Sequence, residues 1–198
     1  MKTYIRKDVF TTAMMATTDA KDYRENLKHI WIEHDAENKV LTVVGTNAQE
    51  MIISKIRLTD PEQNDFCEKV FNIWHRGYKL PETVLKSKGC MLEFEQLESG
   101  QLLCDGGKVE IWDGTMPDYK QVIPKKELVG ATQYCAFDPD LIKKIDKALG
   151  HKRTSIVDTR PLVSSADETE YLTPHVWNTV DEQDFQQLVV VMPIRFDR

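Results

Sequence analysis

Apolar and polar positions recur in a definite order over the first 58 residues of the chain. Apolar residues at three- and four-residue spacing predict a helix near the N-terminus, and the segments around it have the composition and spacing of strands. A polar turn at 35–38 separates two of these strands. The predicted order is one strand, one helix and three strands, at residues 3–5, 9–17, 27–33, 39–44 and 51–58.

The same order is predicted a second time. A strand is expected around 67–73, followed by a short helix that begins at Pro81 and ends at Gly89. The turn at 105–107, Asp-Gly-Gly, is a strong signal for a hairpin between the last two strands of this unit. The three strands after the helix are predicted at 90–96, 101–104 and 108–112.

A third unit is predicted from residue 132 onwards. Asp138 suits a helix N-cap, Pro139 the first helical position and Gly150 the helix end. A long polar stretch at 167–184 has little periodicity and is expected to be a loop. The strands of this unit are predicted at 133–137, 155–158, 162–166 and 188–194. Three such units predict a mainly antiparallel α+β protein.

Composition narrows the function only slightly. The chain has 198 residues and a formal net charge of −6, and its length suits one large domain or two small ones. The negative charge argues against tight, wrapped binding of nucleic acid, because that affinity comes from neutralising phosphates. Looser contact with nucleic acid is not excluded, because it depends on the sign of charge on the surface that faces the nucleic acid and not on the total charge.

The four cysteines are far apart, and none forms a CxxC pair or has a histidine at metal-ligand spacing. This pattern favours small buried side chains in a reducing compartment. No apolar stretch reaches the length of a bilayer, and the first residues lack the apolar segment of a secretory signal. We therefore expect a cytoplasmic protein with no membrane partner and no metal.

An enzyme needs a constellation of catalytic groups, and the common motifs GxxxxGK, GxGxxG, HExxH and GxSxG are absent from the sequence. His34 beside Asp35, or His75 beside Arg76, could supply acid–base groups. Lone histidines next to charges are far more often surface or turn residues, and no nucleophile is paired with them in the sequence. The chain is therefore predicted to be non-enzymatic and to need no cofactor.

Three segments carry a resemblance to a known family. Residues 116–124 read Met-Pro-Asp-Tyr-Lys-Gln-Val-Ile-Pro, and residues 188–196 read Leu-Val-Val-Val-Met-Pro-Ile-Arg-Phe. They resemble the crossing between the second and third domains, and the C-terminal strand and tail, of the bacterial replicative sliding clamp, the beta subunit of DNA polymerase III. Residues 13–32 resemble a helix of that clamp, its Asp-x-Arg link and the strand after it.

The resemblance implies a processivity-clamp (DNA clamp) fold of repeated strand-helix-three-strand units, with antiparallel sheets outside and helices inside. Residues 1–116 would be a clamp-like domain of two units. Residues 117–198 would be a shortened domain of one unit and the C-terminal tail. Clamp chains have six units and close a ring as dimers, so a ring of this chain would need a homo-oligomer, with four copies as one hypothesis.

The family captures short peptides from polymerases, the clamp loader and repair proteins in an apolar pocket between these two domains. The matching positions here are Thr46, Met51, Pro117, Val122, Met192, Pro193 and Ile194. The pocket wall at 45–51 reads Gly-Thr-Asn-Ala-Gln-Glu-Met where the family typically reads A-T-D-G-H-R-L, so peptide preference is expected to differ or to be lost. The alternative is that these apolar residues are ordinary core.

The family's helices face double-stranded DNA, where lysines make weak contacts to phosphate without reading sequence. On the predicted helix 138–150, Lys143, Lys144 and Lys147 lie opposite the apolar arc. Lys86, Lys88, Lys152 and Arg153 could add to a basic lining. A solvated helix face explains these lysines equally well.

The resemblance therefore implies a non-enzymatic factor of DNA replication or repair that binds clamp-binding peptides and encircles DNA as an oligomer. The alternative is a clamp-derived binding module that does not encircle DNA and acts as a decoy or adaptor for the same peptides. A third outcome is a clamp fold with neither activity.

Overall fold

The computed structural model describes residues 1–18, 21–71, 76–115, 118–121, 123, 143, 156–158, 175–180 and 186–191. The first predicted unit is confirmed in its order of one strand, one helix and three strands. Its elements are β1 (Lys2–Arg6), α1 (Lys7–Met15), β2 (Ile30–Asp35), β3 (Val40–Thr46) and β4 (Glu50–Arg57). A short 3-10 helix, Glu25–Leu27, precedes β2.

The strand predicted at 67–73 is wrong, because α2 (Pro61–Phe71) is a helix. Asp60 caps its start, with its Oδ1 accepting a hydrogen bond from the backbone N–H of Glu62 at 2.9 Å. Phe66 and Val70, one helical turn apart, are both buried. The apolar residues of this segment therefore follow a helical period rather than the alternation of a strand.

The second unit nevertheless keeps the predicted order, starting further along the chain. Its opening strand is β5 (Arg76–Lys79), and the expected short helix is α3 (Thr83–Lys86). The strands after it are β6 (Met91–Gln96), β7 (Leu102–Cys104), β8 (Gly107–Lys108) and β9 (Glu110–Asp113). The last predicted strand is thus divided into two, because β8 pairs with β7 whereas β9 pairs with β5.

The loop predicted at 167–184 is also wrong in part. It contains β11 (His175–Val180), which lies between β10 (Ile156–Asp158) and β12 (Gln186–Val191). All six positions of β11 pair with β12, so their backbones can exchange ladder hydrogen bonds. The sequence His-Val-Trp-Asn-Thr-Val is rich in β-branched and aromatic residues, a strand signal that the surrounding charges obscured. The elements predicted at 133–137 and 162–166 lie outside the described residues.

Two antiparallel sheets organise the described chain. One has four strands in the order β1-β6-β7-β8, and the other has eight in the order β10-β11-β12-β4-β3-β2-β5-β9. β1 of the first unit thus belongs to the sheet of the second unit, because it pairs with β6. β12 extends the sheet of the first unit by pairing with β4. The predicted α+β class with antiparallel sheets is confirmed.

The main core lies between the two sheets and under the helices. It joins Phe10 of α1, Phe71 of α2, Phe94 of β6 and Tyr78 of β5, all 1% exposed or less. α1 lies over β3 and β4, where the hydroxyls of Thr12 and Ser54 share a buried hydrogen bond of 2.9 Å. No helix in the described ranges has both the length and the apolar character needed to cross a lipid bilayer.

Stability is expected to fall at alkaline pH because of groups in this core. Burial raises the pKa of the Cys67 and Cys104 thiols and of the Tyr78 hydroxyl to about 12. In the unfolded chain thiols titrate near ~8.5 and tyrosine near ~10, so above these values the unfolded state releases protons that the folded state keeps. The stabilising contribution is therefore complete below pH ~8.5 and is lost as pH rises towards the folded pKa, at about 1.4 kcal/mol per pH unit and group.

Urea unfolding at about pH 7.5 and about pH 10 measures this loss, and we expect about 2 kcal/mol from each thiol over that interval. Cys67→Ala removes one of the two thiols, so the loss of unfolding free energy over this interval should be smaller by the contribution of one thiol. An unchanged unfolding free energy across the interval would contradict the burial of these thiols.

Candidate functional site

A second apolar cluster covers the face of the eight-stranded sheet that points away from α1. We call this the outer face. Side chains alternate along β4, so Ser54 meets Thr12 of α1 whereas Met51 and Ile53 lie on the outer face. Its buried members are Trp31, Val44, Met51, Ile53, Tyr119 and Val190, with Trp112, Ile123 and Leu188 packed against them. The cluster unites strands of the first unit with β12 and the segment around residue 119.

Tyr119 holds the crossing segment, of which residues 118–121 and 123 are described, against the outer face. It begins a 3-10 helix, Tyr119–Gln121, and is 6% exposed. Its hydroxyl donates a hydrogen bond of 2.7 Å to Oε2 of Glu33, and Nζ of Lys120 lies 3.2 Å from the same oxygen. Burial, together with this carboxylate, raises the pKa of Tyr119 well above its usual range. The phenol therefore stays a neutral hydrogen-bond donor.

A cavity of about 410 Å³ opens beside Tyr119, and we call it the apolar pocket. Leu27, Met51, Tyr119 and Val190 form its apolar wall, and all four are largely buried. These residues come from the link before β2, from β4, from the crossing segment and from β12. The pocket therefore exists only because segments that are distant in sequence meet at this point of the outer face.

Two of the predicted peptide-binding residues, Thr46 and Met51, line the apolar pocket. Pro117, Val122, Met192, Pro193 and Ile194 lie outside the described residues. Sequence reasoning missed Leu27, Tyr119 and Val190 as lining residues. A signal was available, because all three lie inside the segments 13–32, 116–124 and 188–196 that carry the family resemblance.

The turn between β3 and β4 forms one wall of the apolar pocket and is held by its own side chains. Oδ1 of Asn47 accepts the backbone N–H groups of Gln49 and Glu50, both at 2.9 Å. The Thr46 hydroxyl donates to the carbonyl of Glu50 at 2.8 Å. Glu50 is 3% exposed, and its Oε1 accepts from Nδ2 of Asn47 at 2.9 Å. The wall is thus fixed before any ligand arrives.

Ala48 of this turn has φ 74°, in the left-handed region that glycine adopts freely. The left-handed conformation costs an L-residue about 1–2 kcal/mol. Replacing Ala by Gly removes this cost but lowers stability by about 0.4–1 kcal/mol, because Gly increases the conformational entropy of the unfolded chain. We therefore expect Ala48→Gly to raise the unfolding free energy by about 0.5–1 kcal/mol, measured by urea denaturation. Gln49→Gly, at the neighbouring exposed position, where no positive φ is found, is the control and should not stabilise. A destabilised Ala48→Gly would contradict the strained turn.

Arg24 lies on the rim of the apolar pocket in a fixed position. Its Nε and Nη2 donate to the two carboxylate oxygens of Asp22 at 3.0 and 2.7 Å. These hydrogen bonds, with one from the backbone N–H of Arg24, lower the pKa of Asp22 to about 2. The pair stays ionised at neutral pH and holds the guanidinium beside the pocket mouth.

The predicted DNA-facing residues are only partly within the described ranges. Lys86, Lys88 and Lys143 are exposed, whereas Lys144, Lys147, Lys152 and Arg153 lie outside the described residues. α3, which carries Lys86, has only four residues. On α2 the exposed side chains include the acidic residues Glu62, Asp65 and Glu68. The described helices therefore present both signs of charge to solvent.

Of the two histidines considered as acid–base groups, His34 has a structural partner. Nε2 of His34 lies 3.0 Å from Oδ1 of Asn64 on α2. Nδ1 of His29 lies 2.8 Å from the carbonyl of Glu25, and its ring stacks on Trp112 at 5.6 Å. His75 lies outside the described residues. Across the described ranges, no group of three or more acidic, histidine or cysteine side chains could hold a metal ion.

No protein-family model and no curated protein matches this sequence. Solved structures do match. The Helicobacter pylori beta clamp in complex with carprofen has a TM-score of 0.61 at 12% identity, over 98% of this chain and 67% of the clamp. The Thermotoga maritima DNA polymerase III beta subunit has a TM-score of 0.53 at 14% identity, over 100% of this chain and 66% of that one.

The sliding clamp of Bartonella birtlesii bound to griselimycin gives a TM-score of 0.56 at 14% identity, over 98% of this chain and 66% of the clamp. The chain thus spans about two thirds of the length of these clamps. At such low identity the comparison establishes the fold alone. The resemblance that the sequence suggested is confirmed at that level, and the chain has the fold of bacterial sliding clamps.

Proposed function

We propose that this chain uses its sliding-clamp fold to capture short peptide segments of DNA replication or repair proteins in the apolar pocket. The observation that carries the proposal is the pocket itself, in which Met51, Tyr119 and Val190 meet from three separate segments. Its volume of about 410 Å³ lies within the range of about 300–1,000 Å³ typical of ligand sites.

The chemistry of the apolar pocket suits a peptide anchor. Peptides bind by burying a few apolar side chains in pockets whose walls exclude water, and a thioether such as that of Met51 adapts to different anchors. A fixed turn at 46–50 lowers the entropy cost of binding, because the wall is already ordered. The Bartonella birtlesii clamp is solved with griselimycin bound, so a protein of this fold holds a ligand.

We assign the remaining wall of the site to Pro117, Val122, Met192, Pro193 and Ile194, which adjoin the described lining residues in sequence. Thr46 and Met51 complete the set. The activity proposed is binding without catalysis. Fluorescence anisotropy with a labelled clamp-binding peptide of a bacterial replicative polymerase tests it, and no saturable binding would overturn it.

Two modes of action follow from peptide capture. As a homo-oligomeric ring, loaded by a clamp loader, the chain would tether its peptide partner to double-stranded DNA. As a module that does not encircle DNA, it would act as a decoy or adaptor for the same peptides. The exposed lysines Lys86, Lys88 and Lys143 support the ring. The edge of the four-stranded sheet at β8 favours the second mode.

The antiparallel pairing of β4 with β12, which we call the joint between them, shows how one unit of this fold extends the sheet of another. β4 is the last strand of the first unit, and all six residues of β12 pair with it within one chain. The corresponding strand of the second unit reaches the edge of the four-stranded sheet as β8, which has two residues. The Pro81 ring lies against it, since a Cβ on Gly107 would be 2.7 Å from Cγ of Pro81. Such a short, covered edge offers few backbone hydrogen bonds to another copy.

We therefore favour the decoy or adaptor mode. Light scattering is expected to give the mass of a single chain, with and without bound peptide. Retention on nicked circular DNA should equal retention on the linearised DNA, because a module that does not encircle DNA cannot slide off an end. A multi-subunit mass together with preferential retention on the circle would support the ring instead.

A further inference from the structure

A second cavity lies on the outer face, on the other side of Tyr119 from the apolar pocket. Its volume is about 600 Å³, and we call it the charged groove. Lys55 and Arg57 of β4, Glu33 and Asp35 of β2, Lys120 of the crossing segment and Gln186 of β12 line it. Tyr119 belongs to the walls of both cavities, so the groove and the apolar pocket adjoin along one side chain.

The two carboxylates of the charged groove are already engaged within the protein. Glu33 accepts the Tyr119 hydroxyl at 2.7 Å and pairs with Lys120. Asp35 accepts the backbone N–H and the side-chain amide of Asn38 at 3.0 and 2.7 Å. The charge of Glu33 is thus balanced by Lys120, and both carboxylate oxygens of Asp35 already accept hydrogen bonds from Asn38.

Lys55 is the cation of the groove that is available to a ligand. Its side chain is exposed, and within the described part of the chain no ion pair or hydrogen bond holds its ammonium group. Across the sheet it is paired with Thr42 of β3 and Gln186 of β12, neither of which is charged. Among the described residues, a carboxylate entering the groove would therefore break no internal ion pair in order to reach Lys55.

Strand geometry fixes the distance between Lys55 and the apolar pocket. Met51 and Lys55 are four residues apart on β4 and lie on the same face because side chains alternate. At about 3.4 Å per residue their separation is about 14 Å. An extended peptide covers about 3.3–3.6 Å per residue. With the detour over the crossing segment, about four to six peptide residues join the two cavities.

We propose that the charged groove binds an acidic side chain of the same peptide whose apolar anchor fills the apolar pocket, with Lys55 as the residue that recognises its carboxylate. The inference rests on the proposed peptide capture. It defines the partner as a segment with an apolar anchor and an aspartate or glutamate about four to six residues away. Recognition by one exposed cation is weak and sensitive to salt, and is expected to change affinity about two- to fivefold.

The test uses labelled peptides in which two adjacent leucines are the anchor and a single glutamate occupies successive positions, each with a glutamine counterpart. Affinities are measured by fluorescence anisotropy for the whole protein, for Lys55→Gln and for Lys108→Gln. Lys108 is an exposed lysine on β8 in the other sheet, so its variant is matched in charge. Lys55→Gln should weaken the glutamate peptide about two- to fivefold and leave the glutamine peptide unchanged. Lys108→Gln should change neither.

The results separate this inference from the proposed function. Suppose that the glutamine peptides bind, and that Lys55→Gln either weakens the glutamate and glutamine peptides equally or weakens neither. The charged groove then does not recognise the carboxylate, and the inference is overturned. A preference for glutamate next to the anchor would overturn it as well, because the groove lies too far from the pocket. If no peptide binds the unaltered protein, peptide capture itself is wrong and the inference with it. Loss of the glutamate preference at high salt would support the charge pairing.

Discussion

Gly45→Ala is expected to destabilise the protein by about 3 kcal/mol or more, at or above the upper end of the usual cost of overpacking a core. A Cβ at position 45 would lie 1.8 Å from the carbonyl oxygen of Ala13 and 2.6 Å from its carbonyl carbon. Both atoms belong to the backbone of α1, so no side-chain rotation relieves the clash. The helix would have to move away from β3, although its own residues Phe10 and Ala13 are fully buried against the core.

Urea denaturation followed by far-UV circular dichroism measures the effect of Gly45→Ala. Gly89→Ala is the matched control, because its new Cβ would meet the carbonyl oxygen of Met91 at 3.4 Å, an ordinary contact. The control should change the unfolding free energy by less than about 1 kcal/mol. Equal losses in the two variants would mean that α1 does not sit as closely on β3 as the structure places it.

The sequence predicted the first unit well because its elements are regular and local. The residues of α1 repeat at helical spacing, and β3 and β4 are mostly apolar runs between turn residues. α2 was missed although Asp60 and Pro61 supply an N-cap and a first helical residue. Its C-terminal half was assigned to a strand at 67–73, and a short apolar run is ambiguous between the helical and the strand period.

Strand pairing could not be derived from any local pattern. β1 pairs with β6 so that Lys2 lies opposite Glu95, and the separation of these residues along the chain carries no signal of that contact. The joint between β4 and β12 was not predicted either, because the resemblance only placed residues of 45–51, of the crossing segment and of the C-terminal tail around one pocket. The division of the last strand of the second unit into β8 and β9 had no sequence signal at all.

The candidate site was predictable at the level of segments. Thr46 and Met51 came from the resemblance, and the structure places both on the apolar pocket. The roles of Leu27 and Tyr119 depend on which way each side chain points, and the hydrogen bond from Tyr119 to Glu33 depends on the register of β2 under the crossing segment. Such details arise from tertiary contacts, and a single sequence does not specify them.

Met51→Ala is expected to weaken peptide binding by about thirtyfold, which corresponds to about 2 kcal/mol and is typical of a residue at the centre of an interface. Met51 is 4% exposed and lies in the wall of the apolar pocket, so its truncation removes apolar surface that the peptide anchor would contact. The same truncation opens space in the core and costs about 2–5 kcal/mol of stability. A matched control is therefore needed to separate binding from folding.

Ile52→Ala supplies that control. Ile52 is the next residue of β4, is 2% exposed, and points to the opposite face of the sheet by strand alternation. Its truncation should cost similar stability and change peptide affinity by less than about twofold, within the usual effect of substitutions outside an interface. Both affinities are measured by fluorescence anisotropy in the temperature range where circular dichroism finds each variant folded. If the two variants lose affinity equally, the loss comes from folding, and the outer face at Met51 is not where the peptide binds.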